Sequence, residues 1–135
     1  MLDLNSEYVA RPLISSLTQT NSDSAIVSNI IDLEGMSAAE IILNIGSLTD
    51  VDATFAVLFE HGNDSALSDN ATVLAADLIG APANFTFAAD NTMQQWGYIG
   101  IKRYLRLTIT PTVNNSGSAS LGAVAFLKKK KTGAL

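Results

Sequence analysis

The sequence predicts an all-β protein: about eight antiparallel strands in a jelly-roll or immunoglobulin-like sandwich, or a small barrel, with an N-terminal arm. Three observations predict it. Short runs alternate apolar and polar residues with a period of two, the mark of strands with one buried face. Clusters of Gly, Asn, Asp and Ser separate most of these runs. The 135 residues suit one domain, which at this size buries roughly two-thirds of the surface its unfolded chain would expose.

Residues 1–12 set Leu2, Leu4, Tyr8 and Val9 among Asp3, Asn5, Ser6 and Glu7 and lead to Arg11-Pro12 without periodicity. They are expected to form an extended arm that gains order from a partner. The β domain is expected over 13–127, with strands near 13–20 and 25–33. Ala39, Ile41, Leu43 and Ile45 then share one face of a strand, as do Phe55, Val57 and Phe59 of the next. Runs at 72–79 and 84–88 follow. Leu105, Leu107 and Ile109 share a further face, with Tyr104, Arg106, Thr108 and Thr110 on the reverse. The last run is 119–127. Gly46 to Asp50, His61 to Asp64 and Asn114-Asn115-Ser116-Gly117 read as turns, the last as the clearest, since Asn and Gly tolerate the positive φ of tight hairpins. Pro82 and Pro111 sit at run ends, where a missing N–H breaks no ladder.

Helix has two footholds. Ser37-Ala38-Ala39-Glu40 matches a capping box, but the isoleucines that follow favour a strand. The alanine-rich 71–79 stretch stays open between strand and helical turn.

The chain has no cysteine, so disulfides and thiolate chemistry are excluded and core packing must supply the stability. A formal charge of −5 argues against nucleic-acid binding, which relies on Lys and Arg at phosphates. Lys128-Lys129-Lys130-Lys131 is the one basic block, and 128–135 is expected to be a flexible tail. Met1-Leu2-Asp3-Leu4 shows no basic segment before an apolar run, so neither a secretory signal nor a membrane span is expected. Charged residues are 16% of the chain and apolar ones 47%, against a usual charged share of about a quarter. That surplus points to apolar surface covered by a partner.

No constellation for chemistry emerges. His61 is the lone histidine, and no Gly-x-Ser-x-Gly elbow accompanies it; a surface or strand-end role is expected. Asp50-Val51-Asp52 spaces carboxylates like the start of a calcium loop, but Ala53-Thr54-Phe55 supplies no further ligands. The loop Asn63 to Asn70 is oxygen-rich without a ligand pattern. Gly97 and Gly100 belong to no phosphate cradle and read as bends into a strand. No catalytic, metal or cofactor site is assigned.

The segment Trp96 to Pro111 is the richest. Arg103 shares parity with Ile101, Leu105 and Leu107, so its charge must find a partner such as Asp32 or Asp77, or emerge at the end of the sheet. Trp, Tyr and Arg also anchor protein interfaces. The candidate interface residues are Leu2, Leu4, Tyr8, Arg11, Trp96, Tyr98, Arg103 and Tyr104.

That segment, with the Asp-rich stretch Gly46 to Phe55 and the small-residue run Ala119 to Leu127, resembles small virion proteins encoded beside the major capsid protein of tailed bacteriophages. The resemblance spans roughly residues 40–127 and leaves the arm and the lysine tail outside it. It implies a capsid decoration, or cement, protein. Such a protein is a β module made in the host bacterial cytoplasm that docks on the outer surface of the phage head and bridges subunits of the major capsid protein. Self-association is expected, as a trimer first and then a dimer, without membrane or direct nucleic-acid contact. The alternatives are a head–tail joining or tail-surface component, or a carbohydrate- or receptor-binding module on the virion.

Overall fold

The computed structural model describes residues 3–131, apart from the side chains of 16–19. Leu2 and residues 132–135 of the expected tail lie outside the described residues. The strands are β1 (Tyr8–Thr20), β2 (Ile26–Val27), β3 (Ile31–Asp32), β4 (Met36–Leu48), β5 (Thr54–Gly62), β6 (Ala71–Thr72), β7 (Leu78–Ile79), β8 (Phe85–Thr86), β9 (Thr92–Tyr98), β10 (Tyr104–Thr112) and β11 (Ala119–Lys129). Single 3₁₀ turns occupy Ala75–Asp77 and Phe87–Ala89.

The protein is an antiparallel β-sandwich. Sheet I runs β1-β11-β4-β9-β7; sheet II runs β2-β10-β5-β6, with β3 also on β10 and β8 also on β5. The period-two pattern does the folding: Ile41, Leu43 and Ile45 from β4 and Leu121, Ala125 and Leu127 from β11 meet Phe55, Phe59, Leu105, Leu107 and Ile109 from sheet II. Each such Leu, Ile or Phe contributes about 1.5–3 kcal/mol on burial. The 25–33 run is split by a clasp between the sheets. Ser28 accepts the Leu107 N–H on its hydroxyl, and the Asn29 N–H donates to the Leu13 carbonyl. The open 71–79 stretch resolves into two short strands around a 3₁₀ turn, and it carries the chain from sheet II to sheet I.

Three expectations need correction. The arm does not extend to Pro12, because Tyr8–Pro12 pair with Val124–Lys128 as the start of β1. Its periodicity is hidden by a register shift between Pro12 and Ile14, after which Leu13 and Ile14 are both buried. The β domain likewise does not stop at 127. Lys128 and Lys129 belong to β11, and the Lys129 and Lys130 N–H groups donate to the carbonyls of Glu7 and Gly35. Asn114 to Gly117 is no tight hairpin either; it crosses from β10 in sheet II to β11 in sheet I. The positive φ in this crossing falls on Val113, at 59°. Asn114 is buried there, its amide donating to the Thr20 and Ser22 carbonyls.

Candidate functional site

The two outer faces of the sandwich differ in kind. On sheet II, β10 turns Tyr104, Arg106, Thr108, Thr110 and Thr112 outward beside Thr54, Ala56, Leu58 and Glu60 of β5. Arg106 lies directly across from Glu60, with Nη2 3.0 Å from Oε1. The pair is largely buried, while Thr54, Thr110 and Thr112 are exposed around it, as on the solvent side of an antiparallel sheet.

The outer face of sheet I is mostly apolar. One cross-strand row reads Ala10, Phe126, Glu40, Gly97 and Ile79 across β1, β11, β4, β9 and β7. The next reads Pro12, Val124, Ile42 and Gln95, and a third Gly122, Asn44 and Met93. At the lysine end the Tyr8 ring stacks on Phe126 with centroids 5.0 Å apart. Glu40 is the one charge in these three rows, and Lys128 stands at their rim in the row beyond, between Tyr8 and Ala38. Gly122 has no side chain to fill its place, and around it opens a shallow depression of about 750 Å³ lined by Ala10, Pro12, Asn44, Met93 and Val124. Met93 (66% exposed) and Phe126 (37%) rise on either side of it along the strands.

Of the candidate interface residues, Leu4 and Tyr8 join this face: Leu4 caps the turn before β1, its carbonyl accepting the Glu7 and Tyr8 N–H groups, and borders a hollow with Tyr8, Ala10 and Phe126. Arg11 is exposed on the edge strand β1, where an inward-phased charge discourages further strand pairing. Trp96 and Tyr98 are corrections. They are 1% and 4% exposed and belong to the core, where both meet Phe59 edge-on. Burial takes them because β9 is an inner strand of sheet I, covered on one face by sheet II.

Arg103 lies one residue before β10, so its inward parity opens onto the end of the sandwich. Its Nε and Nη2 each stand 2.9 Å from an oxygen of Asp32, Nη2 also reaches Glu34 at 2.7 Å, and the guanidinium lies 5.1 Å from the centroid of the half-buried Tyr104 ring. The Arg103 hydrogen bonds hold the Asp32 carboxyl below the usual carboxylate range. Asp77, the other partner considered, lies nearer His61, whose charge it influences.

The loop carboxylates are committed to backbone. Asp50 accepts the N–H groups of Asp52 and Ser116, tying the turn after β4 to the 113–118 crossing. Asp64 accepts from Ala66 and Ser68, and Asp69 from Asn63 and Asp64, so their carboxyls sit below their ordinary range. His61 ends β5 as expected but is buried, not on the surface. Among the described residues, no three His, Asp or Glu side chains gather as metal ligands do.

The sequence reading missed Ile42, Met93, Val124 and Phe126. A signal existed for two of them: 121–127 is apolar on both parities, which one-sided burial does not require. No protein-family model matches this chain, and no curated protein matches it.

Proposed function

We propose that this protein is a structural virion component, a decoration protein that docks on the outer surface of a tailed-phage head and braces neighbouring subunits of the major capsid protein. The observation that carries the protein-binding part is the asymmetry of the outer faces: sheet II sets Leu58 and Val27 among four threonines and the Arg106–Glu60 ion pair, whereas sheet I presents Pro12, Ile42, Met93, Val124 and Phe126 in adjoining rows. Contiguous apolar surface of that kind marks a protein contact. The virion assignment rests on the resemblance carried by residues 46–55, 96–111 and 119–127. A sugar-binding reading is disfavoured because Trp96 and Tyr98, the aromatic rings it would need as platforms, are buried.

The mechanism is mass action. A module that binds the assembled shell and not its separated subunits stabilises the shell by about 2.7 kcal/mol per site at a hundredfold excess over the dissociation constant. Heads with and without the protein are heated, and the temperature at which packaged DNA becomes accessible to a dye is recorded. The expected result is a higher release temperature, restored by adding back purified protein. Equal release temperatures, or protein found only on tails, count against the reading and favour the joining or tail-surface role.

A further inference from the structure

We infer that the apolar face of sheet I is covered by a second copy of this chain, packed sheet against sheet about a two-fold axis along the Ile42–Val124 row. The inference rests on the reading of that face as a protein-docking surface and names its occupant. A two-fold axis in the plane between two faces sets each row beyond the axis against the corresponding row on its other side. The row of Phe126, Glu40 and Gly97 in one copy therefore meets the row of Gly122, Asn44 and Met93 in the other.

Strand by strand, unlike side chains meet. On β11 the Phe126 ring, 37% exposed, faces the depression of about 750 Å³ around Gly122. On β9 the protruding Met93 faces Gly97, a position buried beneath the Glu40 carboxylate and Ile79, so the thioether lies against Ile79, 63% exposed. On β4 the Glu40 carboxylate faces the Asn44 amide, so the one negative charge in these rows meets a hydrogen-bond donor and not its own copy. Ile42 and Val124 lie on the axis and meet themselves.

Size and charge agree. Four strands at about 4.8 Å spacing and seven residues at about 3.3 Å rise give a flat footprint of roughly 440 Å², with Ile79 of the two-residue β7 at one corner. Side-chain relief brings two such faces near the ~1,200 Å² total of the smaller specific interfaces. A face that must match itself works best when nearly uncharged, and this one has a single carboxylate and, at its rim, a single ammonium. Aligned sandwich packing already supplies the geometry, with apolar faces about 10 Å apart.

The test uses the full chain and its lack of cysteine. Val124→Cys places one thiol on the axis, and a short bismaleimide, each of whose two alkenes adds one thiol, should link two chains across the ~10 Å between the faces; Thr110→Cys on sheet II should stay unlinked. Light scattering across a concentration series should give twice the chain mass of 14.2 kDa. Ile42→Glu should raise the dissociation constant by about a hundredfold or more through like charges meeting on the axis. Asn44→Lys should lower it by about threefold to tenfold at low salt, by pairing with Glu40 across the axis, a gain that misfolding cannot mimic. A monomer at all concentrations, a trimer with Val124→Cys unlinked, or Asn44→Lys without effect would each overturn the inference. Binding of Ile42→Glu to heads separates the two readings. A monomeric wild-type chain whose head binding is lost in this variant leaves the docking face intact with the shell as its occupant. Unchanged assembly and unchanged head binding remove both.

Discussion

The Tyr98 hydroxyl lies 2.9 Å from Nδ1 of His61 in the interior of the sandwich. The same oxygen accepts the Lys102 N–H at 3.0 Å, so the arrangement in which the Tyr98 O–H has an acceptor lets that hydroxyl donate to Nδ1 and puts the imidazole hydrogen on Nε2. Burial pushes the His61 pKa below its ordinary value, reinforced by Lys102 and partly opposed by Asp77 and Asp69. Burial likewise raises Tyr98, keeping its proton in place.

The first prediction is a pH dependence. A folded-state pKa below the unfolded value near 6.5 means the unfolded chain takes up the proton first. The stability from neutral His61 is complete above that value and is lost as pH falls toward the lowered one. Urea midpoints measured at intervals from pH 8 to pH 5 should fall in the wild type and change less in His61→Gln. Identical slopes in the two proteins would refute the assignment.

Tyr98→Phe removes the hydroxyl that holds the loop Ile99 to Arg103. The loop wraps the ring so closely that a Cβ on Gly100 would lie 2.6 Å from Tyr98 Cζ. It also carries Ile101, 95% exposed, at its tip. Losing one buried hydrogen bond and orphaning the Lys102 N–H should cost about 1–3 kcal/mol. Faster amide exchange at Lys102, with strands β4 and β11 unchanged, is the expected signature.

Trp96→Ala should cost about 3–5 kcal/mol, as truncation of a fully buried aromatic does. Chemical denaturation gives the value directly. A soluble variant of wild-type stability would return Trp96 to the surface role that its residue type suggests.

Val113 holds φ at 59° and is half exposed. A β-branched residue is strained there, whereas Asn tolerates the left-handed region. Val113→Asn should raise stability by about 1 kcal/mol, read as a higher denaturation midpoint. A lower midpoint would mean that Val113 packing outweighs the strain.

Truncation separates arm from strand. Deleting residues 2–6 should change the melting temperature little. Deleting 2–12 removes Tyr8 from its stack on Phe126 and five residues of β1 from their pairing with β11, so the melting temperature should drop by several degrees or more.

The sequence by itself determined the class of the fold and most of its core. Alternation at 39–45, 55–59 and 105–109 names the inward residues, because a strand has only two faces and apolar side chains select one. The pairing of Arg103 with Asp32 was legible too, since an inward-phased charge needs a carboxylate. Tertiary structure alone decided three things. β1 reaches back to Tyr8 because β11 offers it a partner, and pairing across more than a hundred residues leaves no local signature once a bulge breaks the period. Trp96 and Tyr98 lie inside because β9 sits between β4 and β7 with that face against sheet II, and strand order is invisible to a single strand's pattern. The apolar outer face exists because four strands bring Pro12, Val124, Ile42 and Met93 into adjoining rows. Each of these residues alone is an ordinary surface position; only the hydrogen-bond register between distant strands makes them one surface.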